Sequence, residues 1–120
     1  MRLLLAACVV VALGGIACAR EPWAVMGPAG LGSCAKYAEY YRRNPDQVDG
    51  HYLDWVMGYM SGINLMKEDL YFDLHAKTTD EMMRYLRLYC NEHPLANYTE
   101  GVMELLKTLP LVQKKNNLAP

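Results

Sequence analysis

The chain is poor in the groups from which enzyme sites are usually built. It has two serines, Ser33 and Ser61, and neither lies in the G-x-S-x-G setting of a nucleophile elbow. Its three histidines, His51, His75 and His93, are far apart, with no H-E-x-x-H and no cysteine-pair spacing that would hold zinc. An excess of positive charge is also missing: 12 Lys and Arg stand against 13 Asp and Glu, which speaks against the cationic field that phosphate binding requires. At 120 residues there is no room for a second sizeable domain. No internal repeat, low-complexity tract or convincing strand run is present. These gaps exclude an elaborate catalyst and a non-specific nucleic-acid binder, and the expectation is a non-enzyme that needs no metal or cofactor.

What is present begins with an export pattern. Met1 and Arg2 form a short cationic start, Leu3 to Ala17 is apolar and uncharged, and Ala17-Cys18-Ala19 fits the small-x-small rule of signal peptidase. Cleavage is expected after Ala19, so residues 1–19 are a signal peptide and the product is periplasmic or secreted. Two alternatives are an uncleaved anchor, for which the run is short, and a lipoprotein acylated at Cys18. After cleavage no membrane attachment is expected. Cys34 and Cys90 remain, and in an oxidising compartment two cysteines most simply form one disulfide. The other readings are two buried free thiols or a Cys34 nucleophile, for which no local sequence supplies an activating base.

Residues 20–30 carry Pro22, Pro28, Gly27 and Gly30 without periodicity and read as an extended lead-in, with Trp23 able to pack back on the core. Residues 31–120 read as one all-α, compact four-helix domain. Ser33 is positioned to cap a first helix over 34–43, with Cys34, Tyr37, Ala38 and Tyr41 on one face. Asn44 to Gly50 reads as a polar loop. A second helix carries Tyr52, Trp55, Val56, Tyr59, Met60 and Ile63 at helical spacing. Gly58 and Gly62 lie on one face of it, and two helix glycines predict the close approach of another backbone or a bulky ring. Lys67 to Lys77 reads as a short helix or ordered loop. Thr78 with Glu81, and Asn97 with Glu100, have the spacing of capping boxes that open a third and a fourth helix. The third presents Met82, Leu86, Tyr89, Cys90 and His93 and stops at Pro94. The fourth carries Val102, Leu105, Leu106 and Leu109 and stops at Pro110, before a polar tail.

Nine tyrosines and a high methionine content supply adaptable contact surface. Tyr37, Tyr41, Tyr52, Tyr59 and Tyr89 read as core; Tyr40, Tyr71, Phe72, Tyr85 and Tyr98 read as surface. The acidic-aromatic stretch holding Glu68, Asp69, Tyr71, Phe72, Asp73 and His75 is the candidate partner-binding segment.

Three segments carry a family resemblance: Gly32-Ser33-Cys34; Trp55 to Asn64, which has the form W-x-x-G-Y-x-x-G-x-N; and Tyr89 to Pro94 with the helix after it. In them the chain resembles the Rap/Tai immunity proteins, which act against type VI secretion amidases. The matched positions are Cys34, Trp55, Gly58, Tyr59, Gly62, Cys90 and Pro94, a structural set. The resemblance implies an all-helical, disulfide-containing periplasmic protein whose partner is a peptidoglycan amidase effector, inhibited by occlusion of its active site, and which often forms a homodimer. The spacing of the two cysteines and the proline also resembles the HdeA acid-stress chaperones, the alternative reading.

Overall fold

The computed structural model describes residues 28–115. The expected signal peptide over 1–19, with Cys18, Ala19 and Trp23, lies outside the described residues. The elements run α1 (Pro28–Leu31), α2 (Cys34–Arg43), α3 (Pro45–Met66), β1 (Leu70–Phe72), α4 (Thr79–Glu92), α5 (Tyr98–Lys107) and β2 (Leu111–Gln113). The domain is mostly helical.

Capping side chains place the helix starts. The Ser33 hydroxyl accepts the Lys36 N–H at 3.2 Å, and α2 has the expected bounds of 34–43. Thr78 and Glu81 form a reciprocal box at the head of α4: Thr78 Oγ1 accepts from the Glu81 N–H, while the Glu81 carboxylate accepts the Thr78 N–H at 2.7 Å. These donors, the Thr78 N–H first and then its hydroxyl, hold the Glu81 carboxyl below its ordinary range. Glu100 reaches back to the Asn97 N–H at the start of α5.

The first N–H groups of α2 find carbonyls across the fold. Cys34 N donates to Ala96 O at 2.8 Å and Ala35 N to Pro94 O at 3.0 Å, while Tyr98 N donates to Gly32 O at 2.9 Å. Helix-terminal donors that would otherwise be orphaned thus weld the head of α2 to the turn between α4 and α5. The Cys34–Cys90 disulfide lies at the same junction, with Cα atoms 4.6 Å apart and both cysteines fully buried.

Apart from the packing at the α3 glycines, described below, the structure departs from the sequence reading in five places. The lead-in is helical over α1 where it is described, held to α5 by Thr99 Oγ1, which donates to Gly30 O at 2.6 Å. Asn44 to Gly50 is not a loop: α3 starts at Pro45, because proline at the first helical position lacks only an N–H that would have no partner there. Val48, the one apolar residue of that polar turn, packs on the core.

The third departure is sheet. β1 and β2 pair antiparallel, with Leu70 opposite Gln113, Tyr71 opposite Val112 and Phe72 opposite Leu111. Fourth, His93 is exposed at the end of α4, where its ring stacks on Tyr89 with centroids 4.3 Å apart, and Met83 takes a place in the core. Fifth, Tyr98 is fully buried rather than on the surface. It is the hub of an aromatic core, with ring centroids 4.9 Å from Tyr37, 4.7 Å from Tyr52 and 6.3 Å from Trp55. Around this hub lie Val56, Met60, Met82, Leu86, Val102, Leu105 and Leu106.

Candidate functional site

The segment from Glu68 to His75 leaves the end of α3, forms β1 and turns back toward α4. Its shape is fixed by side chains reaching in from α3 and from the C-terminal strand. Asn64, in the last turn of α3, uses both halves of its amide on one residue: Phe72 N donates to Asn64 Oδ1 at 2.8 Å, and Asn64 Nδ2 donates to Phe72 O at 2.9 Å. A side-chain amide here occupies the place of a neighbouring strand.

From the other side, Asp73 N donates to Pro110 O at 2.9 Å and Lys114 N donates to Asp69 O at 2.7 Å. The Lys114 ammonium donates to Lys67 O, and the Lys67 ammonium sits 4.8 Å from the centre of the Phe72 ring. Asp73 Oδ1 accepts the His75 N–H at 2.9 Å, closing a tight turn after β1.

The proposed contact residues therefore divide. Glu68, Asp69 and His75 are exposed; Tyr71, Phe72 and Asp73 are half-buried, and Phe72 and Asp73 hold the ribbon together. Leu65 and Met66, at the end of α3 beside this ribbon, are among the most exposed side chains described, at 82% and 86%. Sequence reading did not single them out, although they fall off the buried stripe of Tyr52, Val56 and Met60 and so had a periodic signal.

Along the same helix, Gly58, Tyr59, Gly62, Ile63, Met66 and Lys67 line an open depression of about 490 Å³. Among the described residues the expected close packing at the two glycines is not found: a Cβ placed on Gly58 or Gly62 would meet none of their atoms within 4 Å. Trp55 stacks on Tyr59 with centroids 5.0 Å apart, and Tyr59 Oη reaches Met103 Sδ at 3.6 Å, which gives the groove one firm wall. Pro94 is exposed, and its carbonyl serves the head of α2.

A second polar cluster ties three helices together. Arg87 Nη1 on α4 lies 2.7 Å from Asp49 Oδ2 on α3, and Tyr37 Oη on α2 donates to Asp49 Oδ1 at 3.2 Å. The Arg87 guanidinium also lies 5.1 Å from the centre of the Tyr41 ring. Burial first, and then the Asp49 charge, push the Tyr37 phenol well above its ordinary range. Tyr98 is pushed up further, chiefly by burial, and its hydroxyl has no hydrogen-bond partner among the described residues.

Among the described residues no group of three or more His, Cys, Asp or Glu side chains could hold a metal ion, and no helix is long and apolar enough to cross a membrane. The most prominent surface feature among the described residues is an acidic-aromatic ribbon, tied in place by Asn64 and the C-terminal strand, beside an open groove along α3. Comparison with protein-family models, curated proteins and solved structures finds no match to this chain.

Proposed function

We propose that the chain is an exported, non-catalytic binding protein that inhibits a peptidoglycan amidase by covering its active-site cleft. One observation carries the reading beyond the sequence resemblance: the Glu68–His75 ribbon is clamped before any partner arrives. Asn64 holds one edge of β1 and the C-terminal strand holds the other. A loop ordered in advance does not lose its conformational freedom on binding, which favours tight occlusion of a cleft. Exposed Leu65 and Met66 supply apolar contact beside it, and Glu68, Asp69 and His75 supply polar specificity.

Export places the chain where such an enzyme works, with residues 1–19 removed after Ala19 or, in the alternative, Cys18 carrying a lipid. N-terminal sequencing of the protein recovered from the envelope is expected to begin at Arg20. Affinity capture on the purified chain, with peptidoglycan hydrolases sought among the bound proteins, identifies the enzyme. Capture of an amidase, and loss of that capture in Leu65→Asp/Met66→Asp, supports the reading. Failure to bind or slow any co-encoded peptidoglycan hydrolase overturns it.

The acid-stress chaperone reading is favoured by a different observation, the Asp49 carboxylate at the junction of α2, α3 and α4. It is the charge partner of Arg87 and accepts from Tyr37, so loss of that ion pair would loosen the junction of the three helices. That reading predicts suppression of client aggregation in acid and none at neutral pH.

A further inference from the structure

The cleft between α2 and α4 has a chemistry that the groove on α3 lacks. Tyr37, Ala38, Tyr41 and Arg42 stand one, three and one residues apart on α2, and Arg87 and Asn91 stand four apart on α4, so each helix turns one face to a cavity of about 250 Å³. Ala38 makes the room, because its methyl stands among tyrosines where a longer side chain would fill the space. Tyr37 is fully buried, Ala38 and Tyr41 are half-buried, and Arg42 and Asn91 are exposed, so the lining runs from apolar inside to polar at the rim. The walls are fixed at two points. The Cys34–Cys90 bond joins the two helices, and Asp49 holds both Tyr37 and Arg87. A cavity shaped in advance costs its ligand little ordering of the protein.

Both charged residues that line the cavity are cations. Arg87 is balanced by Asp49, with Nη1 2.7 Å from Oδ2. Arg42 is not balanced: among the described residues its side chain makes no ion pair or hydrogen bond, whereas Arg43 beside it is held by Glu39 at 2.7 Å. Two arginines and one aspartate leave a single positive charge. A monoanion balances it, while a phosphate dianion would leave a surplus negative charge in a partly buried place. The planar guanidinium fork matches the two oxygens of a carboxylate. The Asn91 amide adds a donor, and the tyrosine rings accept a flat apolar body. The cavity is smaller than the about 300 Å³ at which pockets for drug-sized ligands begin, so the ligand is a small one.

We propose that the cleft between α2 and α4 binds a monocarboxylate carried on a small apolar or aromatic body, with Arg42 as its ion-pair partner. Arg87, already paired, contributes its remaining donors and keeps the floor in place against Asp49 and the Tyr41 ring. The carboxylate belongs either to a free acid or to the C-terminus of a peptide. None of the residues of the ribbon or of the α3 groove takes part, so the inference stands or falls apart from the amidase reading.

The test is a titration followed by backbone amide shifts, on protein produced from the full sequence with the Cys34–Cys90 bond in place. Hydrocinnamate, added at constant ionic strength, is expected to give saturable shifts at Ala38, Arg42 and Asn91 with a Kd of about 1–5 mM, the range for a ligand of this size. Hydrocinnamide, which has the same shape without the charge, is expected to bind about tenfold more weakly. Arg42→Gln is expected to weaken hydrocinnamate binding about tenfold with no change in the urea midpoint, since that side chain holds nothing else among the described residues. Ala38→Leu, which fills the cavity and keeps both arginines, is expected to abolish binding. N-acetylphenylalanine separates the two sources: binding tighter than hydrocinnamate assigns the site to a peptide C-terminus, and weaker binding assigns it to a free acid. The absence of saturable shifts, equal binding of the amide, equally tight binding of inorganic phosphate at these residues, or undiminished binding by Arg42→Gln overturns the proposal.

Discussion

Three of the helical glycines, Gly58, Gly62 and Gly101, predict opposite responses to the same substitution. Gly58 and Gly62 lie within α3, where a Cβ would meet no other described residue. Alanine there adds helix propensity of about 1 kcal/mol per site and meets no neighbour. The double variant should therefore gain about 2 kcal/mol, and its Tm should rise by roughly 8–16 °C for a domain near 100 residues. Gly101 in α5 differs, because a Cβ would lie 2.7 Å from Tyr89 Cδ1 and 3.2 Å from Cε1. That ring is stacked on His93 and cannot slide away freely. Overpacking costs about 1–3 kcal/mol, against the ~1 kcal/mol gained in propensity. Gly101→Ala should thus end near neutral to about 2 kcal/mol destabilised. Urea unfolding reads all three as shifts in midpoint at constant slope. Destabilisation by Gly58→Ala or Gly62→Ala would mean that the groove is filled, and stabilisation by Gly101→Ala matching theirs would remove the Tyr89 contact from the account.

Replacing Cys34 and Cys90 by alanine should cost about 4 kcal/mol by the chain-entropy model, given their separation of 56 residues. A loss under 1 kcal/mol in denaturant titration would count against that model. Asn64→Ala removes both bonds to Phe72 and should cost about 1–2 kcal/mol. Its amide exchange should accelerate at 70–73 and 111–114 while α4 and α5 keep their protection; unchanged exchange in the ribbon would show that Asn64 is not its clamp. Tyr37 and Tyr98 have phenol pKa values raised above those of the unfolded chain, so their contribution is fully present below about pH 10 and is lost as pH rises through the folded values. Stability should fall above about pH 10 by roughly 1.4 kcal/mol per pH unit for each, with unfolding coincident with tyrosinate absorbance. Tyrosines that ionise in the intact fold near pH 10 would contradict their burial.

Local signals in the sequence carried far. The caps at Ser33 and Thr78 and the bounds of α2 follow from residue type and spacing, because each depends on near neighbours; the pairing of Cys34 with Cys90 is expected once Cys8 and Cys18 are assigned to an export signal. The first turn of α3 was hidden by its polarity, although Pro45 marks a helix start as well as it ends one. Tyr98 had a readable signal, standing four residues before Val102 and seven before Leu105 on the buried face of α5. The β1–β2 ribbon had none: three-residue strands far apart in sequence are defined by tertiary placement rather than by periodicity. The candidate site was located by its composition of acids and aromatics. Its rigidity was not legible, because it depends on Asn64 and Lys114 arriving from other elements.

The central claim is that this exported helical domain blocks a peptidoglycan amidase. The most direct test is titration of the purified chain against the amidase that it captures, with release of cleaved peptidoglycan as the readout. The account predicts that hydrolysis stops at equimolar chain and resumes when Leu65→Asp/Met66→Asp replaces it. Undiminished hydrolysis at a large excess of folded, disulfide-bonded protein would contradict it.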